Sequence, residues 1–197
     1  MTTSATLRSL SGVVDSPAAL ATSTVVFVDF QNTYTRGEME LEGWDAALDA
    51  ATELLAKARE AGATVIHVQH DGGAGSAYDI REDIGAIHDR VAPIDGEAVV
   101  IKHAPNSFVG TDLGDRVDAA GHDDIVIAGF MTHMCVTYTT EGAFLRGNRP
   151  TVVAAATATR SLPSVAGDVS AEQLHRSALA GIADLYATVV ASVSDLR

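Results

Sequence analysis

Along the chain, short apolar and β-branched runs alternate with longer stretches in which apolar residues recur every three or four positions. The runs are 24–29 (TVVFVD), 63–68 (ATVIHV), 98–102 (AVVIK), 124–129 (DIVIAG), 151–156 (TVVAAA) and 187–191 (ATVVA). They are apolar nearly throughout rather than alternating, as parallel strands covered on both faces are. Helix-period patterns fill 44–61 and 111–120, each followed by a glycine at the stop position, and 135–146, followed by Gly147 and then Pro150. A fourth, 170–186, opens with Ser170 and Gln173 in the spacing of a capping box. Strand alternating with helix predicts a three-layer α/β/α fold around a mostly parallel six-stranded sheet with right-handed crossovers.

The stretch 71–93 breaks this rhythm with Gly72, Gly73, Gly75 and scattered charges. Its part 79–90 is expected to be helical, and a connection this long serves as a lid or a subunit contact. Nothing marks an internal repeat or an interdomain linker. Residues 1–197 are therefore read as one domain, with 1–23 as a loosely docked N-terminal arm.

The length of 197 residues suits a single core, and with 47% hydrophobic but only 5% aromatic residues that core is built from Ala, Val, Leu and Ile. A formal charge of −13 repels phosphate backbones and anionic lipid, which speaks against nucleic-acid and membrane-surface partners. It also means that any site for an anionic ligand has to be local. No apolar run spans a bilayer, and the first residues lack the basic-then-apolar pattern of a signal peptide. One cysteine excludes an internal disulfide framework and suits a reducing compartment, so a cytoplasmic protein is expected.

In an open parallel sheet, ligands bind beyond the carboxyl ends of the strands. Asp29 closes the first run, Lys102 closes the third, and Cys135 follows the fourth across FMTHM (130–134). A thiol at the start of a helix meets unpaired N–H groups and a positive dipole end, and an ammonium nearby lowers its pKa further. Thiol, lysine and carboxylate form a complete set for nucleophilic acyl transfer. Each also has an ordinary reading: a small core residue, a solvated charge, a turn former.

The local sequences carry more. VVFVDFQN (25–32), VVIKHAPNSFVGTDL (99–113) and IAGFMTHMCVTYTTEGAFLRG (127–147) resemble the aspartate strand, the lysine strand with its loop, and the nucleophile turn of isochorismatase-like hydrolases. PTVVAAATATRS (150–161), with His175 and the later ATVV, resembles the closing pattern of that family. The resemblance implies a Rossmann-like fold in which Cys135 is the nucleophile, Asp29 the base, and Lys102 the group that holds the thiolate and orients the aspartate. It further implies a non-proline cis peptide at Phe130–Met131, with the N–H groups of Met131 and Cys135 forming an oxyanion hole.

By position, Gln31, Tyr34, Trp44, His103, Asn106, Phe108, His133 and Tyr138 border the pocket. Gln31, Tyr34, His103, Asn106, Phe108 and Tyr138 are the expected substrate contacts, Gln31 and Phe108 foremost. Nicotinamidases of this superfamily bind a metal through histidines soon after the catalytic aspartate. Here no histidine stands between Asp29 and His67, so no metal is expected, and His67 and His70 are read as structural. No glycine-rich cradle follows the first strand, so no nucleotide or flavin cofactor is expected.

The expected activity is C–N hydrolysis of a small amide or ureido compound through an acyl-enzyme, by a homo-oligomer (dimer or tetramer). Vinyl ether hydrolysis of the isochorismatase type and a non-catalytic flavodoxin-like binding protein are the alternatives.

Overall fold

Six parallel strands lie side by side in the order β3-β2-β1-β4-β5-β6 in a computed structural model that describes residues 4–197. The strands are β1 (Ser23–Val28), β2 (Thr64–His70), β3 (Ala98–Lys102), β4 (Asp124–Phe130), β5 (Arg149–Ala158) and β6 (Thr188–Val190). Helices α1 (Leu7–Leu10), α2 (Trp44–Glu60), α3 (Leu113–Ala120), α4 (Thr137–Leu145) and α5 (Ala171–Leu185) complete it. The three-layer α/β/α fold expected from the sequence is present.

Strand periodicity divides the core in two. Val25, Phe27, Val126, Ala128 and Val153 pack with Leu48, Ala51, Leu54 and Leu55 of α2 on one face. Val26, Val28, Ile125, Ile127 and Val152 pack with α3, α4 and α5 on the other, through Leu113, Val117, Ala143 and Ile182. Both faces are covered over the central strands, which is why those runs are apolar throughout. At the edge, β3 leaves Val99 and Ile101 more than a third exposed. The Ser170–Gln173 capping box opens α5 as the spacing predicts.

The chain runs outward from β1 to β3 on one side and from β4 to β6 on the other. The order therefore reverses between β1 and β4, where a crevice opens at the carboxyl ends. There the backbones approach closely: a Cβ built on Gly129 would stand 2.1 Å from the carbonyl oxygen of Val28, so only glycine fits.

The stretch 79–90 is not helical. It holds only single 3₁₀ turns at Asp83–Gly85 and Asp89–Val91. The Asp79 carboxylate accepts the N–H groups of Gly75 (2.7 Å) and Arg81 (3.1 Å), offering the backbone an alternative to helix. Gly85 then lies so close that a Cβ would stand 2.3 Å from the Asp79 carbonyl oxygen. Of the N-terminal arm, residues 1–3 fall outside the described residues. Most of 4–17 is exposed, with α1 touching α5 through the Leu7 N–H on Asp184. Ala18 and Leu20 are buried, and both are bonded to the backbone of Arg197.

Candidate active site

Asp29 follows directly on β1 and is the one described non-glycine residue with positive φ, at 53°. Aspartate tolerates that region better than most residues. Its N–H bonds the Val68 carbonyl and its carbonyl accepts the Gln31 N–H at 2.7 Å, so the turn is held from both sides. The side chain is buried at the crevice.

Lys102 is the last residue of β3, which is separated from β1 by β2. The lysine therefore reaches across β2 to meet the other two residues. Its buried ammonium lies 2.8 Å from Asp29 Oδ2, 3.2 Å from Cys135 Sγ and 3.1 Å from the Ala104 carbonyl.

Cys135 lies inside a π-helical turn, Thr132–Val136, between the cis peptide Phe130–Met131 and α4. Such turns widen a helix locally and recur at functional sites. The turn is bolted down by its own side chains. Thr132 Oγ1 meets His175 Nδ1 at 2.9 Å, His133 Nδ1 meets Thr159 Oγ1 at 2.5 Å, and the Thr137 hydroxyl donates to the Thr132 carbonyl at 2.7 Å.

Burial decides the electrostatics. It raises the Asp29 carboxyl above the ordinary range although Lys102 opposes. The Cys135 thiol, buried and beside the Asp29 charge, is pushed up to about 12 against the pull of Lys102. Burial disfavours the Lys102 ammonium, but Asp29 and Cys135 outweigh it and hold the lysine charged. The expectation of a lysine-lowered thiol is thus corrected: desolvation and the carboxylate win, and the resting cysteine keeps its proton. The Asp29 carboxylate lies against both the Lys102 ammonium, at 2.8 Å, and the Cys135 thiol.

With this geometry in view, comparison with known proteins is specific. The isochorismatase domain matches residues 23–194. The chain belongs to the isochorismatase family. It is 36% identical to the secreted isochorismatase effector Isc1 of Verticillium dahliae over 94% of this chain and 96% of that protein. It is 32% identical to a maleamate amidohydrolase of Pseudomonas putida over 66% of this chain and 68% of that protein. The crystal structure of an isochorismatase from Pseudomonas putida KT2440 superposes with a TM-score of 0.95 at 34% identity, covering 99% of this chain and 100% of the other.

Around Asp29, Lys102 and Cys135 the expected pocket residues divide. Tyr34 is buried beside Asp29, whose charge adds to the desolvation that holds its phenol well above the usual range. Its ring stands edge-on to Phe130 at 5.7 Å. Gln31 is corrected as a substrate contact. Its Oε1 accepts the His70 N–H at 2.9 Å while its Nε2 donates to the carbonyls of His70 (2.9 Å) and Gly85 (2.7 Å), which leaves no free donor. It ties the turn after β1 to β2 and to the 71–93 segment.

Asn106 and Phe108 brace the lysine loop against α4. Asn106 Oδ1 accepts the Phe108 N–H at 2.9 Å, and its amide sits where a Cβ on Gly142 would be 2.6 Å away. Phe108 lies under the Arg146 guanidinium at 5.3 Å. His103 is exposed and donates from Nδ1 to the Asp71 carbonyl at 2.8 Å, joining the loops after β2 and β3. Tyr138 is exposed on the first turn of α4.

Two further residues stand at the site: Tyr78, which has no role in the sequence analysis, and His70, which is read there as structural. His70 presents Nδ1 to Lys102 at 3.4 Å. Burial first, and then the Lys102 charge, pulls it down to about 4, so it is neutral and can only accept from the ammonium. Tyr78 packs edge-on against His70 (5.0 Å) and Tyr34 (5.7 Å), and burial, with the Asp29 charge adding to it, raises its phenol. His67 takes the other face of β2, bonded through Nε2 to Glu97 at 3.0 Å. The two histidines of HVQH therefore cannot share a ligand. Among the described residues no three His, Cys, Asp or Glu side chains converge as a metal site, and no helix is long and apolar enough to cross a membrane.

Proposed function

We propose that the protein is a cysteine hydrolase that cleaves the C–N bond of a small amide or ureido-type substrate through a covalent acyl-enzyme. The observation that carries this reading is the buried chain of contacts Asp29–Lys102–Cys135, at 2.8 and 3.2 Å. The thiol is protonated at rest, so attack and proton transfer are coupled. Cys135 Sγ bonds to the carbonyl carbon as its proton passes to Asp29. The oxyanion is stabilised by the N–H groups of Met131 and Cys135. Collapse breaks the C–N bond, and Asp29 returns the proton to the departing nitrogen, which leaves as ammonia or an amine. Water then adds to the thioester, giving one proton to Asp29. The acid departs and the proton goes back to sulfur. Lys102 keeps its charge throughout and compensates whichever of its two partners is anionic.

The amidohydrolase among the relatives supports this substrate class. The expected homo-oligomer belongs to the same reading, supported by the uncovered Val99–Ile101 edge of β3, and sedimentation velocity measures it. A cytoplasmic location also belongs to it, supported by the free cysteine, although the Verticillium relative carries "secreted" in its name.

The test is ammonia release from a panel of small amides, with rapid-quench intact mass to trap the thioester. Wild-type protein should release ammonia and gain the acyl mass, and Cys135→Ala should do neither. A second reading, ether cleavage with Asp29 as acid, is favoured by the raised Asp29 pKa. Hydrolysis that persists in Cys135→Ala would select it.

A further inference from the structure

A cavity of about 540 Å³ lies at the amino ends of β4, β5 and β6, on the opposite edge of the sheet from Asp29, Lys102 and Cys135. The strand ends line it through Asp124, Arg149 and Thr188, and the far ends of α4 and α5 through Phe144 and Tyr186. The N-terminal arm closes it with Arg8 and Val13, and Arg197 completes the rim. Cavities of this size take small organic molecules.

The lining is rich in donors and poor in acceptors. Arg8 pairs with Asp15 (3.2 Å) and donates to the Thr188 hydroxyl (3.2 Å). Arg149 takes both Asp123 (2.9 Å) and Asp124 (2.8 Å), so the one carboxylate in the lining is already engaged. Arg197 donates from Nε to the Pro17 carbonyl (2.8 Å) and from Nη2 to the Ser16 hydroxyl (3.0 Å). Among the described residues no carboxylate pairs with it, and those two bonds fix the guanidinium while Nη1 keeps its protons for another acceptor. The Asn148 oxygen is buried without a donor, so no bond there holds the carboxamide against turning its N–H₂ to a ligand. Beside these donors, Phe144 and Tyr186 stand edge-on at 5.6 Å and form an apolar wall for a flat ring.

The same two helices hold the nucleophile turn. α4 continues directly from the turn that carries Cys135, and Phe144 is its last residue but one. α5 reaches the turn through His175, 2.9 Å from the Thr132 hydroxyl, and enters the cavity at Leu185. An occupant therefore touches the far ends of both elements that frame the thiol.

We propose that this cavity is an effector site for a small aromatic carboxylic acid, whose carboxylate meets Arg197 and whose ring lies against Phe144 and Tyr186. A guanidinium matches a carboxylate with two parallel N–H···O bonds. In a chain of net charge −13, an anion stays only where such donors converge. Bound there, the acid ties the arm, the strand ends and both helices together, and so restrains the opening that exposes Cys135. The inference does not depend on which bond the triad cleaves.

The experiment titrates the full chain with 2-naphthoate by calorimetry, beside 2-naphthalenemethanol (ring without charge) and acetate (charge without ring). The proteins are wild type, Arg197→Gln, Ser11→Trp, which fills the cavity from the exposed arm, and the control Arg116→Gln on α3, all first matched by thermal unfolding. 2-Naphthoate should bind wild type and the control at least 10-fold more tightly than either fragment. Arg197→Gln should weaken it about 10- to 100-fold, and Ser11→Trp should abolish binding without touching a charge. Saturating 2-naphthoate should slow iodoacetamide labelling of Cys135 at least threefold in wild type and leave it unchanged in Ser11→Trp. Absence of binding, or binding that both variants retain, overturns the site. Slower labelling that persists in Ser11→Trp means that the acid blocks the triad directly, and it too overturns the proposal. Binding that depends on Arg197 but leaves labelling unchanged overturns the effector role.

Discussion

Lys102 and Asp29 meet at 2.8 Å over the end of β2, a strand to which neither belongs. Adjacent strands are about 4.8 Å apart, so the lysine bridges a gap that no shorter cationic side chain could span. Both partners are completely buried. A buried pair of this kind is weak evidence for stability, but removing one partner leaves an uncompensated charge.

Lys102→Met keeps the length and deletes the charge. Without the ammonium, the Asp29 pKa, already raised by burial, rises further above its unfolded value. A group with a raised folded pKa adds stability at low pH and loses it as pH increases. The variant should therefore be destabilised by about 3 kcal/mol at pH 8 and much less at pH 5. Chemical denaturation at the two pH values checks this, and equal losses would refute it.

The proton on Cys135 makes a second prediction. Alkylation by iodoacetamide, followed by mass spectrometry, should stay slow through pH 9 and accelerate only toward about pH 12. Burial is the larger cause and the Asp29 charge the next. Asp29→Asn should therefore bring the midpoint down, with Lys102 still in place to hold a thiolate. Faster labelling with lost turnover is the expected pairing; a midpoint that stays put or rises would contradict the assignment.

Gln31 predicts structural loss rather than a binding defect. Gln31→Ala removes three hydrogen bonds and leaves the His70 N–H and carbonyl without their Gln31 partner, while the Gly85 carbonyl keeps only Gln69 Nε2 (2.8 Å), a loss of roughly 2–4 kcal/mol in urea denaturation. Gln31→Glu should be worse at pH 7, since a carboxylate would face the Gly85 and His70 carbonyls, and should recover part of the loss near pH 4. The opposite ranking of the two variants at pH 7 would overturn this account.

Glu97 governs the acid limb. Burial pushes its carboxyl up, but the Arg59 fork (2.7 and 2.9 Å), the Ile94 N–H (3.1 Å) and His67 (3.0 Å) overcome it and hold the group down to about 2. A depressed carboxyl contributes stability above its unfolded pKa, about 4.5, and loses it as pH falls through about 2. Glu97→Gln should reduce stability at pH 7 by roughly 2–3 kcal/mol and flatten the profile between pH 4.5 and 2. A wild-type profile already flat in that window would exclude this role.

The buried parallel strands were legible because each carries its apolar residues on both faces, and the strand-end rule then singled out Asp29, Lys102 and Cys135. Reach was not legible: strand order alone reveals that Lys102 crosses β2. Nor was protonation, since helix-dipole reasoning omits the desolvation that dominates at Cys135. Gln31 sits in a family-like motif, yet its partners come from 39 and 54 residues away. Tyr78 and His70 were obscured for the same reason. The segment that brings Tyr78 to the site is shaped by Asp79 and Gly85 rather than by any periodic pattern.

The covered, protonated thiol also determines how the enzyme ages. Peroxide and disulfide reagents consume thiolates, and reactivity follows both ionisation and access. Under the proposed mechanism, a cysteine 6% exposed whose proton leaves only near pH 12 becomes reactive only while a substrate is being attacked. Between turnovers the proposed nucleophile is stored in a form that oxidants attack slowly, so activity should outlast oxidative exposure that would silence a resting thiolate.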